Sequence, residues 1–168
     1  MNAVKVTYLE MRSPADLRPK RSAPSGFVVE ELAVKQWQFN RFLYAFVGEQ
    51  WSWTDKLVWS EHQWQSYVES PGLRTFVARE QGSLAGYYEL CSDLGGGIEV
   101  AIFGLTPHFV GKGLGGILLT HALEEAWKLQ PRRVWLHTCT LDHPSALHNY
   151  VARGLKIYKE QFEPAARV

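Results

Sequence analysis

The chain has 168 residues and a mass of 19.2 kDa, a length that fits one domain spanning 1–168 and buries enough surface to fold without disulfides or metal. Hydrophobic residues make 46% and charged residues 21%, which excludes a wholly disordered chain. The 18 Lys+Arg against 17 Asp+Glu leave a net charge of +1, without the basic excess of a protein built to grip nucleic acid. Cys91 and Cys139 are too few for a disulfide framework and fit a reducing compartment. The first residues alternate polar and apolar, unlike a secretory signal, and no window approaches the ~20 apolar residues of a membrane span. A cytoplasmic protein with no membrane partner and no nucleic-acid partner is therefore expected.

In chain order, residues 4–12 alternate and predict a strand. Three prolines with Arg18, Lys20 and Arg21 make 13–26 a solvated loop, the alternative for its basic cluster being a phosphate contact. The apolar run 27–31 predicts a second strand in a hairpin with the first. Trp37, Phe42, Leu43, Phe46 and Val47 fall near helical spacing over 34–47. Ser60 with Gln63 three residues on matches a capping box, and Pro71-Gly72 stops the helix that follows. Residues 73–80, 84–91 and 98–105 predict three antiparallel strands joined by turns at 81–83 and 92–97. A helix over 113–129 ending at Pro131, a strand over 133–140, a helix over 143–153 closed by Gly154 and a last strand over 155–161 complete a mixed α/β layer.

The sharpest feature is Val110-Gly111-Lys112-Gly113-Leu114-Gly115-Gly116, between a predicted strand and a predicted helix. Glycines let backbone approach a ligand closely, and a helix N-terminus offers unpaired amides and positive dipole, a site suited to a pyrophosphate. A P-loop would need Ser or Thr directly after Gly111-Lys112, where Gly113 stands. A dinucleotide fingerprint matches at Gly111, Gly113 and Gly116, but its turn should follow the first strand of a βαβ unit directly, and Thr106–Phe109 intervene. A purely structural glycine turn is the remaining alternative.

The stretch Ile98–Pro107, the glycine loop and Leu118-Leu119 resemble the GNAT superfamily of N-acetyltransferases, whose pattern is Arg/Gln-x-x-Gly-x-Gly/Ala. Gly113 and Gly115 fit it, and Val110 stands where Arg or Gln is usual. The likeness runs from about 84 to 158. It implies a GNAT-like α/β fold, a mostly antiparallel sheet flanked by helices and splayed between the fourth and fifth core strands, here 98–105 and 133–140. It also implies acetyl-CoA as cosubstrate, its pantetheine against the strand near Leu105 and its pyrophosphate on the amides of Gly111 to Gly116, with Leu114 inside that loop and Lys112 as an added charge.

Acetyl transfer to an amine needs a base for the amine and an acid for the leaving thiolate. Glu99 is the only charged residue of the strand 98–105 and lies fourteen residues before Gly113, a spacing similar to that of the family's catalytic glutamate. The alternatives are a strand-end carboxylate facing water, or Glu89 on the preceding strand as base. The resemblance implies Tyr150 as the acid and His143 as a cofactor contact in place of the family's Asn; a core aromatic is the other reading of Tyr150. His137, Cys139 and His143 could approach a metal, but without CxxC or HxxxH spacing no metal is expected. Trp37, Trp51, Trp53, Trp59 and Trp64 cluster where the family forms its acceptor site; Trp51 and Trp53, with Glu89, are the substrate candidates, against plain packing of two helices. The expected activity is N-acetylation of a small-molecule or peptide amine by direct transfer. A non-catalytic acyl-CoA-binding module on the same fold is the alternative, and a homodimer stays open.

Overall fold

The computed structural model describes residues 3–164; positions 1–2 and 165–168 of the expected domain lie outside the described residues. Seven strands form one sheet: β1 (Ala3–Met11), β2 (Phe27–Glu31), β3 (Leu73–Glu80), β4 (Ser83–Ser92), β5 (Ile98–Leu105), β6 (Val134–Cys139) and β7 (Lys156–Pro164). Their spatial order is β2-β3-β4-β5-β6-β1-β7, antiparallel throughout except for the parallel pair β5–β6. The helices are α1 (Trp37–Gly48), α2 (Glu61–Val68), α3 (Gly115–Lys128) and α4 (Ala146–Ala152). This is the mixed sheet flanked by helices that the resemblance implied. Among the described residues no helix is long and apolar enough to cross a membrane.

Period-two alternation sends Phe76 and Tyr88 to one face of the sheet and Val77 and Tyr87 to the other. The first face packs Leu118, Leu119 and Leu123 of α3. The second packs Leu43 and Val47 of α1, while Trp64 and Val68 of α2 meet Tyr44 and Leu73. Burying each such Leu or Val contributes about 1.5–3 kcal/mol. The capping box forms as expected: the Gln63 amide donates to Ser60 Oγ at 3.2 Å, and the Ser60 amide to Gln63 Oε1 at 2.9 Å.

The expected hairpin of 4–12 with 27–31 does not form. β1 is paired on both sides, between β6 and β7, whereas β2 is an edge strand beside β3. Val4, Val6, Leu9 and Met11 are each buried, so β1 needs the cover of the sheet interior, while Val28 on β2 stays exposed. The connecting segment crosses five strand steps, about 24 Å at ~4.8 Å per step, well within the reach of residues 12–26 at about 3.3 Å each. The helix expected over 143–153 is shorter, because 143–145 form a turn in which the Ala146 amide donates to the His143 carbonyl at 2.9 Å.

β5 and β6 share ladder pairs only at Ile98–Val134 and Glu99–Trp135; beyond Glu99 they part. On its other side β5 carries a bulge: Glu89 pairs with Ile102 and Leu90 with Val100, leaving Ala101 without a partner. Bulges bend a strand and commonly adjoin functional sites. The splay between 98–105 and 133–140 is therefore present.

Candidate active site

The parting strands open a cleft of about 880 Å³. The edge of β5 from Val100 to Leu105 has no ladder partner on its β6 side, so backbone donors and acceptors there face the cleft in the extended form that pairs with another amide chain. The strand ends where Thr106 is tied back, its amide to Ala85 O at 2.9 Å and its hydroxyl to Leu84 O at 2.8 Å. Buried Phe109 and Leu114 then pin the two ends of the glycine loop into the core. Between them Gly111 and Gly113 take φ of 78° and 79°, a region L side chains rarely adopt. α3 begins at Gly115, so its first amides have no carbonyl one turn back.

Val110, Gly111, Gly113, Gly115, Gly116, Leu105 and His143 all line the cleft, as do Glu99, Tyr150, Trp51 and Trp53. Three candidates do not. Leu114 is a core residue. Lys112 is exposed, its Nζ 3.0 Å from His108 Nε2 and 5.5 Å from the Phe109 ring. Glu89 is 1% exposed and accepts from the Tyr67 hydroxyl at 2.8 Å and from Asn40 Nδ2 at 3.2 Å. Burial pushes its carboxyl above the usual range, against those two donors. Glu89 thus reaches the cleft only through Tyr67, which lines it.

Glu99 Oε1 lies 3.5 Å from His137 Nδ1 at the point where the strands separate. Tyr150 is buried on α4 with its ring 6.1 Å from Phe103 of β5. Burial, helped by the Asp142 carboxylate, holds its phenol proton on far above the ordinary range. The hydroxyl is thus held in its protonated form. His143 sits ahead of α4, its Nδ1 accepting the Ser145 amide at 3.0 Å. No group of three or more His, Cys, Asp or Glu is arranged to hold a metal among the described residues.

The tryptophans divide. Trp64 is fully buried, and Trp37 and Trp59 pack with it against α1 and α2. Trp51 and Trp53 reach the cleft: the Trp51 ring meets His143 edge-on at 5.0 Å, and Trp53 both packs on Tyr44, ring to ring at 5.5 Å, and donates its Nε1–H to Asp142 Oδ1 at 3.4 Å. Asp142 is fastened in turn by the Thr138 hydroxyl at 2.6 Å and the Cys139 amide at 3.0 Å. Beside Trp53, the Tyr44 hydroxyl donates to Asp55, and the Lys56 ammonium lies 4.7 Å above the Trp59 ring. Burial opposes the charge on Asp55, but Tyr44 and Lys56 outweigh it and keep the carboxyl below its usual range.

Among the cleft residues that sequence reasoning missed are Lys20, Asp142, Asn149 and Arg153. Lys20 carried the only signal, in the basic cluster of a segment read as solvated. That segment is instead fastened down. The Arg18 amide donates to Arg153 O and the Lys20 amide to Thr120 Oγ1, each at 2.9 Å, and Arg21 pairs with Glu124 at 2.7 Å.

The model of the acetyltransferase (GNAT) family matches residues 29–155. Among solved structures, a GCN5-related N-acetyltransferase from Kribbella flavida is 16% identical with a TM-score of 0.66, covering 97% of this chain and 61% of its own. A tandem GNAT protein from the clavulanic acid biosynthesis pathway is 15% identical with a TM-score of 0.61, covering 95% of this chain and 51% of its own. This chain thus spans less than two thirds of either. An IAA acetyltransferase from Bacillus cereus is 26% identical with a TM-score of 0.60, covering 79% of both chains. A search of curated protein sequences finds no match.

Proposed function

This chain belongs to the GNAT acetyltransferase family, and from that premise we propose that it is a single-domain N-acetyltransferase moving an acetyl group from acetyl-CoA to a small-molecule or peptide amine. The observation that carries the reading is the open edge of β5, with the glycine loop at one end and Glu99 and Tyr150 flanking the same cleft. The β5 edge would take the pantetheine amides, and the amides of Gly111 to Gly116 the pyrophosphate. His143 would close the cofactor side. Trp51, Trp53 and Asp55 would wall an acceptor that arrives as a cation, since aromatic faces and a carboxylate both favour positive charge.

In the transfer, Glu99 takes the amine proton, directly or through a water, and the amine nitrogen bonds to the thioester carbonyl carbon. As the carbon–sulfur bond breaks, the electron pair goes to sulfur, which receives the Tyr150 hydroxyl proton; the second proton of the nitrogen passes through water to the Tyr150 phenolate and Glu99 releases its proton to solvent, leaving an amide and a free thiol. Free Cys91 and Cys139 suit a cytoplasmic setting, where thiols stay reduced. An amine panel followed by thiol release from acetyl-CoA tests the activity. Binding of acetyl-CoA with no release for any amine would favour the non-catalytic acyl-CoA-binding module instead.

Two variants probe the parts. Gly113→Val places a β-branched residue at φ 79° and a Cβ 3.4 Å from Lys20 Nζ, so acetyl-CoA affinity should fall about tenfold or more. Unchanged calorimetric affinity in a folded variant would remove the loop from the site. Glu99→Gln should lower turnover by about 10²-fold, the low end of acid–base effects because a water can reach a carboxylate that is 22% exposed. Acetyl-CoA affinity should stay, since the base acts on the amine. Full turnover across the pH range would make Glu99 structural.

A further inference from the structure

The glycine loop supplies no cation of its own to the cleft: Val110 is apolar, and Lys112 turns away to His108 and Phe109. Two cations from distant parts of the chain take that place. Lys20, in the connection between β1 and β2, donates its ammonium to Gly113 O at 2.9 Å. Arg153, at the end of α4, brings Nη1 to 2.2 Å from where a Cβ on Gly116 would lie, with Lys20 Cδ at 2.9 Å from the same point. Both line the cleft. Among the described residues neither is in a salt bridge, and Arg153 Nε is buried with no hydrogen-bond partner.

An Arg Nε–H drawn out of water with no partner carries a desolvation cost, and this one lies beside the glycine loop and the first turn of α3. The contacts of Arg18, Lys20 and Arg21 to Arg153, Thr120 and Glu124 fix the β1–β2 segment over that turn. We infer that Lys20 and Arg153 are the side-chain cations that grip the cosubstrate pyrophosphate, replacing the side chain that Val110 lacks. The inference rests on the acetyl-CoA reading above.

Calorimetry of the full chain with coenzyme A, dephospho-coenzyme A and pantetheine tests it, using Lys20→Gln, Arg153→Gln and the double variant, each checked by thermal unfolding. Each single variant should lose about tenfold in affinity for coenzyme A and for dephospho-coenzyme A, and the double variant more. Pantetheine, which has no pyrophosphate, should bind all forms equally. The salt dependence of coenzyme A binding should also weaken in the variants. If Arg153→Gln does not fold, Lys20→Gln alone decides, since its side chain lies on a surface segment. Unchanged affinity for both nucleotide probes overturns the inference. So does a loss confined to coenzyme A, which would move the two cations to the 3′-phosphate. A wild-type chain that binds none of the three probes overturns the acetyl-CoA reading itself, an outcome distinct from failure of the variants.

Discussion

The Tyr150→Phe variant is expected to keep its fold and its acetyl-CoA affinity while turning over about 10³-fold more slowly, within the range of about 10²–10⁴ for acid–base catalysis. The ring would still fill its place beside Phe103, so packing changes little. Only the hydroxyl is removed, and it matters most as charge builds on the departing sulfur. The loss should therefore appear in kcat rather than in KM. Burial and the Asp142 carboxylate raise the phenol's pKa far above its ordinary value. Raising the pKa of an acid extends its protonated form to higher pH, so wild-type turnover should show no falling limb from Tyr150 below pH ~10. Steady-state rates of both forms across pH, with one amine acceptor, measure both points. Wild-type turnover in the variant would return Tyr150 to a core aromatic.

Gly154→Ala should lower the melting temperature by about 5–10 °C. Gly154 has φ 103°, and a Cβ there would lie 2.0 Å from the Asp16 carbonyl oxygen and 3.0 Å from its carbon. Forcing a side chain into that backbone region costs about 1–3 kcal/mol, and the Asp16 backbone must also move. For a chain of this size each 1 kcal/mol shifts the melting point by about 2–4 °C. The displaced segment is the one that carries Lys20, so coenzyme A affinity should fall with it, while pantetheine affinity should not. Thermal unfolding by circular dichroism and calorimetry measure the two effects. An unchanged melting temperature would mean that the β1–β2 segment yields freely and does not pin the α4 end.

The local elements were legible because their signals are local. The Ser60–Gln63 box, Pro71-Gly72 and Gly154 mark ends that depend on residues within one turn. The glycine loop was legible for the same reason: its positive-φ positions and the helix behind it are neighbours in sequence. Through the family resemblance, the splay and the places of Glu99 and Tyr150 on its two sides could also be expected.

Strand partners were not legible. Residues 4–12 alternate in the same way whether they pair with 27–31 or lie between β6 and β7, and only the burial of Val4, Val6, Leu9 and Met11 in the assembled sheet decides. The split of the tryptophans is of the same kind. Nothing local separates Trp64 from Trp53; one is sealed in the α1–α2 core, the other packs on that core and also reaches Asp142 across the cleft. Lys20 and Arg153 are separated by most of the chain and meet only because the β1–β2 segment crosses the start of α3. Sequence by itself determined the Ser60–Gln63 cap, the Pro71-Gly72 stop and the turn of the glycine loop, because those choices are set by torsional preferences of adjacent residues. Tertiary structure alone decided which strand pairs with which and which cations lie beside the glycine loop, because long-range pairing is settled by burial summed over the whole sheet.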